Sequence, residues 1–230
     1  TTVVTRVVLK KSPLTKAMVE IIPAILAKDE KEFRRKIDSI TDLCETVQID
    51  VMDGVFVDNI TWADPKRIDL MRLPMAYEVH LMVKDPLESL DAWSVAGCQR
   101  AIVHAEAVED AAETLRQIKL YGMEAGLSIN PETTIASIKN AISEADVVQV
   151  MGVHPGWMGQ EFQTVAIEKV RKLREMFPEL IIEVDGGVGV GTARELAEAG
   201  ADRLVSGSAV FNSGAPAKAI EALRADADLE

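Results

Sequence analysis

The feature that most constrains this chain is its alternation. Eight short runs are rich in Ile and Val: Glu20–Leu26, Thr46–Val51, Ala76–Val83, Arg100–Ala105, Glu124–Ile129, Asp146–Met151, Glu179–Asp185 and Asp202–Ser206. Each reads as a buried strand. Amphipathic stretches of helical period separate most of them: "KDEKEFRRKIDSI", "DPLESLDAWSVAG", "VEDAAETLRQIKLYG", "NPETTIASIKNAIS", "TVAIEKVRKLREMF" and "GTARELAEAG". Strands alternating with helices build a parallel sheet, because parallel neighbours need a long crossover. Eight such units in 230 residues predict a single (β/α)8 TIM barrel. The competing architecture is a doubly wound open sheet. No G-x-G-x-x-G follows the first run, which counts against its dinucleotide-binding form. Gly97, Gly122 and Gly200 stand where helices should end, and Pro86 and Pro131 where first turns should begin. Residues 1–19 precede the first strand and read as an N-terminal extension, partly ordered or disordered. Residues 20–230 read as one catalytic barrel.

Strand parity then sorts the polar residues. Side chains alternate along a strand, so in "TVQIDVM" Val47, Ile49 and Val51 share one face and Gln48, Asp50 and Met52 the other. In a barrel the apolar face meets the helices. The second face points inward, with its last residues at the C-terminal mouth where barrel chemistry occurs. Glu78, His80 and Met82 share one parity, as do Glu183 and Asp185, and Gln149 and Met151. All three histidines, His80, His104 and His154, fall at or just after strand C-termini. The mouth is therefore expected to gather Asp50, His80 and Asp185, with Gln48, His104 and Gln149 near them. Two carboxylates and an imidazole suit a divalent metal of the Zn, Mn or Fe kind. They equally suit a two-base proton transfer. A hydrogen-bonded polar network without a ligand is the plainer alternative. Asp53 has the opposite parity from Met52 and reads as a loop-organising residue.

Glycine-rich turns follow the sixth, seventh and eighth strands: "GVHPGWMGQEF", "DGGVGVG" and "SGSAVF". Glycine lets backbone N–H groups approach an anion closely. The last loops of a (β/α)8 barrel are its usual phosphate site. Gly186, Gly187, Gly207 and Ser208 are placed for a phosphate, and Gly156 and Gly159 could close the site over a sugar.

Composition narrows the partners. The formal net charge of −12 opposes non-specific nucleic-acid binding, so an anionic ligand must be held by local donors. The first twenty residues lack a continuous apolar core with a small-residue cleavage site and are not expected to be a signal peptide. No apolar run approaches the roughly 20 residues of a membrane span, so no membrane partner is expected. Cys44 and Cys98 have no metal-type spacing and fit buried apolar positions in a reducing, cytoplasmic compartment.

The motifs "VMDGVFVDNIT", "VHLMV", "GVHPGWMGQEF", "EVDGGV" and "GSAVF", in this order and spanning about Ile21 to Phe211, resemble the ribulose-phosphate 3-epimerase family. The resemblance implies a (β/α)8 barrel of the pentose phosphate pathway. It would interconvert D-ribulose 5-phosphate and D-xylulose 5-phosphate with one divalent metal, Zn, Fe or Mn, and family members are often oligomers. It implies that Asp50 and Asp185 are acid/base carboxylates and metal ligands, and that His80 is a third ligand. Met52, Met82 and Met151 would line the cavity. Three positions depart from the family pattern. Gln48 stands where a ligand histidine is usual, and is at best a weaker fourth ligand. Ala24 stands where a substrate-contacting serine is usual, and His154 where Asn or Asp is common. These departures leave two alternatives open: an epimerase for another ketose phosphate such as a hexulose 6-phosphate, or a metal-deficient sugar-phosphate-binding protein. The Asp-x-Lys-x-x-Asp signature of decarboxylase relatives is absent from the corresponding strand ends.

Overall fold

The computed structural model describes residues 18–228. The expectation for the extension falls on residues 1–17, outside the described residues, apart from two residues before the first strand. Eight parallel strands close in chain order: β1 (Glu20–Ile25), β2 (Thr46–Met52), β3 (Ala76–Met82), β4 (Arg100–His104), β5 (Glu124–Ile129), β6 (Val147–Met151), β7 (Ile181–Asp185) and β8 (Arg203–Ser206), with β8 paired to β1. The strand ends lie within two residues of the sequence expectation. Closure excludes the open doubly wound sheet.

The crossovers are α1 (Glu30–Ile40), α2 (Pro65–Met71), α3 (Leu90–Val95), α4 (Ala111–Leu120), α5 (Ile135–Ile142), α6 (Val165–Met176) and α7 (Thr192–Ala199). A single-turn α8 (Ser208–Phe211) and the longer α9 (Pro216–Ala227) follow β8. Local chemistry fixes several starts. Asp29, Asp64 and Asp110 each accept a backbone N–H three residues on, capping α1, α2 and α4. Gly97, Gly122 and Gly200 do sit at helix ends with φ of +87°, +81° and +107°. Pro131 does not open a helix. It lies in a turn closed by Thr133 N–H on the Asn130 carbonyl, and α5 starts later, capped by Thr134. Three further helices, α2, α8 and α9, lie outside the six amphipathic stretches. α2 buries only Ile68, too short a stripe to show a period.

The large apolar core is the annulus between sheet and helices. Ile25, Ile49, Val79, Val103, Leu127, Val150, Val184 and Leu204 point outward into it, against Phe33, Trp93, Leu115 and Leu173. The barrel lumen is different. Ile22, Ala24 and Val205 form one small apolar cluster in it and Met52 and Met82 with Val57 another at the mouth, while Gln48, Asp50, Glu78, His80, Arg100, His104, Ser128, Gln149, Glu183 and Asp185 make much of the inward face polar. Burying so many polar groups is costly unless they are paired or serve a ligand. The lumen is therefore where function has to be sought.

Candidate active site at the barrel mouth

Register delivers the mouth residues. Asp50 pairs laterally with His80 across β2 and β3, and Met151 with Asp185 across β6 and β7. One ligand atom each from Asp50, His80 and Asp185 lies within 4.8 Å of the others, and all three residues are buried. His80 Nδ1 is 3.0 Å from Asp185 Oδ2 and 3.6 Å from Asp50 Oδ1. Gln48 enters the same space. Its Nε2 donates to Asp50 Oδ1 at 2.8 Å and to Asp185 Oδ2 at 2.9 Å. Thus the side chain expected to offer an amide oxygen instead turns its amide nitrogen toward the acids.

Behind His80 runs a chain that orients its ring. His80 Nε2 meets His104 Nε2 at 2.8 Å, and His104 Nδ1 meets Glu106 Oε2 at 3.3 Å. Burial drives His104 down to about 4, against the pull of Glu106, so the ring is neutral at pH 7. A neutral His104 donates through Nδ1 to the Glu106 carboxylate and accepts at Nε2. His80 then donates from Nε2 and keeps Nδ1 for the acids. Glu106 is itself fixed by the Asn130 N–H and the Thr133 hydroxyl. Burial also lowers His80, but its hydrogen bonds to Asp185 and Asp50 outweigh this and raise it to about 10. Burial raises the Asp50 carboxyl above the ordinary range, opposed by His80 and reinforced by the charge of Asp185.

A pocket opens above this cluster. Met52, Met82 and Met151 form its floor with Asp50 and Asp185, and Ala24 is part of its wall. Gly156, Gly159, Gly186, Gly187, Gly207 and Ser208 line its rim, with His154. Gly186 and Gly187 have φ of +94° and +71°, and Gly152 packs so closely that an added Cβ would lie 2.2 Å from the Gly186 carbonyl oxygen. The β6 and β7 loops can interlock this way only with glycine there. Asn59 Nδ2 reaches the Gly156 carbonyl at 2.8 Å, joining the β2 and β6 loops across the mouth. His154 lies on the exposed rim, its imidazole 3.1 Å from Glu132. Asp53 holds the β2 loop by accepting the N–H groups of Val55, Phe56 and Lys84.

Two parts of the site went unread in the sequence. Glu106 lies beyond its strand and carries no pattern. The link from Gln149 Nε2 to Gln48 Oε1, 2.7 Å, joins residues 101 positions apart, although their shared inward parity was the available signal.

The closed parallel barrel, with paired carboxylates and an imidazole at the C-terminal mouth beneath glycine turns, defines an acid/base isomerase-type centre able to hold a divalent cation. The described donor set fits such an ion with three ligands, while the fourth direction carries amide hydrogens. A ribulose-phosphate 3 epimerase family profile matches residues 20–211, and the chain belongs to that family of isomerases. The ribulose-phosphate 3-epimerase of Bacillus subtilis (strain 168) is 37% identical over 217 residues, covering 90% of this chain and 99% of that protein. The cytoplasmic isoform of ribulose-phosphate 3-epimerase from Oryza sativa subsp. japonica is 36% identical, covering 90% and 94%. A crystal structure of 3-hexulose-6-phosphate synthase superposes with a TM-score of 0.70 at 16% identity, covering 90% of this chain and 99% of that one, a likeness of fold.

Proposed function

We propose that this chain is a ribulose-phosphate 3-epimerase that moves a proton between the two faces of C3 of D-ribulose 5-phosphate, giving D-xylulose 5-phosphate. The observation that carries this reading is the convergence of Asp50, Asp185 and His80 on one point at the base of a glycine-rimmed pocket. One carboxylate takes the C3 proton and the other returns a proton to the opposite face. Asp50, held above the usual carboxylate range, suits the step that delivers a proton. His80, its ring oriented through His104 and Glu106, keeps Nδ1 directed at the acids. Met52, Met82 and Met151 exclude water from the reacting carbons, so that the proton removed is not lost to solvent. Gly186, Gly187, Gly207 and Ser208 present backbone to the phosphate, and Gly156 and Gly159 close over the sugar.

Asp50, His80 and Asp185 would hold one divalent ion. Its mixed oxygen and nitrogen donors suit Zn, Fe or Mn, and the charge would stabilise the oxygens that become negative as C3 loses its proton. The substrate is a small sugar phosphate. Among the described residues no helix is long and apolar enough to cross a membrane. A cytoplasmic location is supported by the rice relative, whose name specifies a cytoplasmic isoform, and a homo-oligomer is in keeping with the family.

The test is proton exchange. Protein loaded with Zn, Fe, Mn or Co in D2O should exchange the C3 hydrogen of D-ribulose 5-phosphate; no exchange with any of these ions sinks the proposal. Ala24 and His154 sit on the pocket wall, so the same assay on hexulose 6-phosphates decides whether the pentulose is preferred.

A further inference from the structure

Gln48 occupies the centre in a way that the assigned chemistry does not require. Both hydrogens of its carboxamide are committed, one to Asp50 Oδ1 and one to Asp185 Oδ2. These are the same two oxygens that face His80 Nδ1. The other end of the amide is committed too. Gln48 Oε1 accepts from Gln149 Nε2 at 2.7 Å, and the second hydrogen of that nitrogen goes to Glu183 Oε1 at 2.9 Å. All six residues are buried, Gln48, His80, Gln149 and Glu183 completely. A carboxylate accepts and cannot donate, so two acids at one end and a fixed donor at the other define which atom of Gln48 is nitrogen.

This orientation opposes a cation. An ion about 2.0–2.2 Å from the oxygens of Asp50 and Asp185 would meet the N–H side of Gln48 rather than a lone pair. Turning the carboxamide over would offer Oε1 to the ion. It would also break two charge-assisted hydrogen bonds and set the Gln48 NH2 against the Gln149 NH2, donor to donor. Meanwhile the bridging amide does part of what a cation does. It draws two buried carboxylates together and supplies hydrogens to both.

We infer that Gln48, held in place by Gln149, acts as an internal stand-in for a cation: it keeps Asp50 and Asp185 assembled without an ion and makes any divalent metal a weakly held, exchangeable ligand. The inference rests on the reading of Asp50, His80 and Asp185 as the metal-capable centre. Gln149 is a positioning residue, acting only through the orientation of Gln48.

Co2+ is the probe, added to chelator-treated protein, with binding followed by calorimetry and by its visible absorption. Replacing the opposing amide by a ligand, Gln48→His, should tighten Co2+ binding about 100-fold. Gln149→Met, which keeps the volume but frees Gln48 Oε1, should tighten it about 10-fold, the scale of outer-shell effects on metal sites. Wild-type affinity equal to that of Gln48→His overturns the inference. So does a Gln149→Met protein that binds Co2+ no better than wild type. Should Gln149→Met fail to fold, the side-chain amide resonances of 15N-labelled wild type serve instead. The NH2 pair that disappears in Gln48→His should exchange slowly with D2O and shift on saturation with Zn2+; immediate exchange overturns the bridge. Failure of the epimerase reading looks different. Neither wild type nor Gln48→His would then exchange the C3 hydrogen, while the order of metal affinities would stand.

Discussion

The two ends of the barrel lumen are built from the same parity of the same strands, yet they solve opposite problems. At the N-terminal end Glu78 and Glu183 face Arg100, which donates to Glu78 and to Glu124 and lies 3.8 Å from Glu183. Arg203 pairs there with Glu20 at 3.2 Å. Two residues further along β3 and β7 the acids have no guanidinium. Among the described residues the side chains of His80 and Asp185 hydrogen-bond or pair with each other, Asp50, Gln48 and His104. Burial raises Glu78 and Glu183, opposed by Arg100 and Arg203. At the N-terminal end Arg100 and Arg203 give the acids permanent counter-charges. The mouth is stabilised by an amide and an imidazole, which can yield to substrate or ion. On the proposed reading one layer is structural and the other chemical, and the difference lies in whether the counter-charge is fixed.

The sharpest break in that comparison is Asp185→Asn at the mouth. Turnover should fall about 10²–10⁴-fold, the range of a lost acid/base group, while inorganic phosphate binds nearly as before. Equal loss of both would place Asp185 in ligand binding rather than proton transfer. Arg100→Met attacks the floor instead. It strands Glu78 and Glu183 in the lumen and should cost about 3–5 kcal/mol of stability in urea denaturation. The surviving folded fraction should keep its phosphate affinity. A stable Arg100→Met protein with impaired chemistry would reverse the two assignments.

The smallest effect concerns protons. Without an ion, the neighbouring acids keep His80 protonated up to about 10, against an ordinary value of 6.5. A metal ligand must be deprotonated, so metal uptake at pH 8 displaces that proton. Affinity should therefore climb with pH across 6.5 to 10, by about tenfold per unit for a single linked proton. Calorimetry in buffers of different ionisation heat measures the release. A pH-independent affinity would mean that His80 does not hold the proton.

Much of this was legible in the chain. The eight apolar runs specify strand number and order, and parity alone puts Gln48, Asp50, His80, Gln149, Glu183 and Asp185 inside. The glycine turns pointed to the rim because few other residues accept those backbone angles. What escaped were contacts between strands far apart in sequence. Arg100 reads locally as a polar strand start, and only closure sets it against Glu78 and Glu183. Glu106 reads as a solvated loop acid, and only the fold brings it to His104.

Gln48 marks the boundary most clearly. Its type and its inward face follow from the sequence, since side-chain alternation is a local property of any strand. Which end of its amide looks at Asp50 and Asp185 does not. Oxygen and nitrogen are chemically opposite but nearly equal in size, so orientation depends on the partners at both ends. Those partners arrive from β6 and β7, and only the closed barrel brings them to β2.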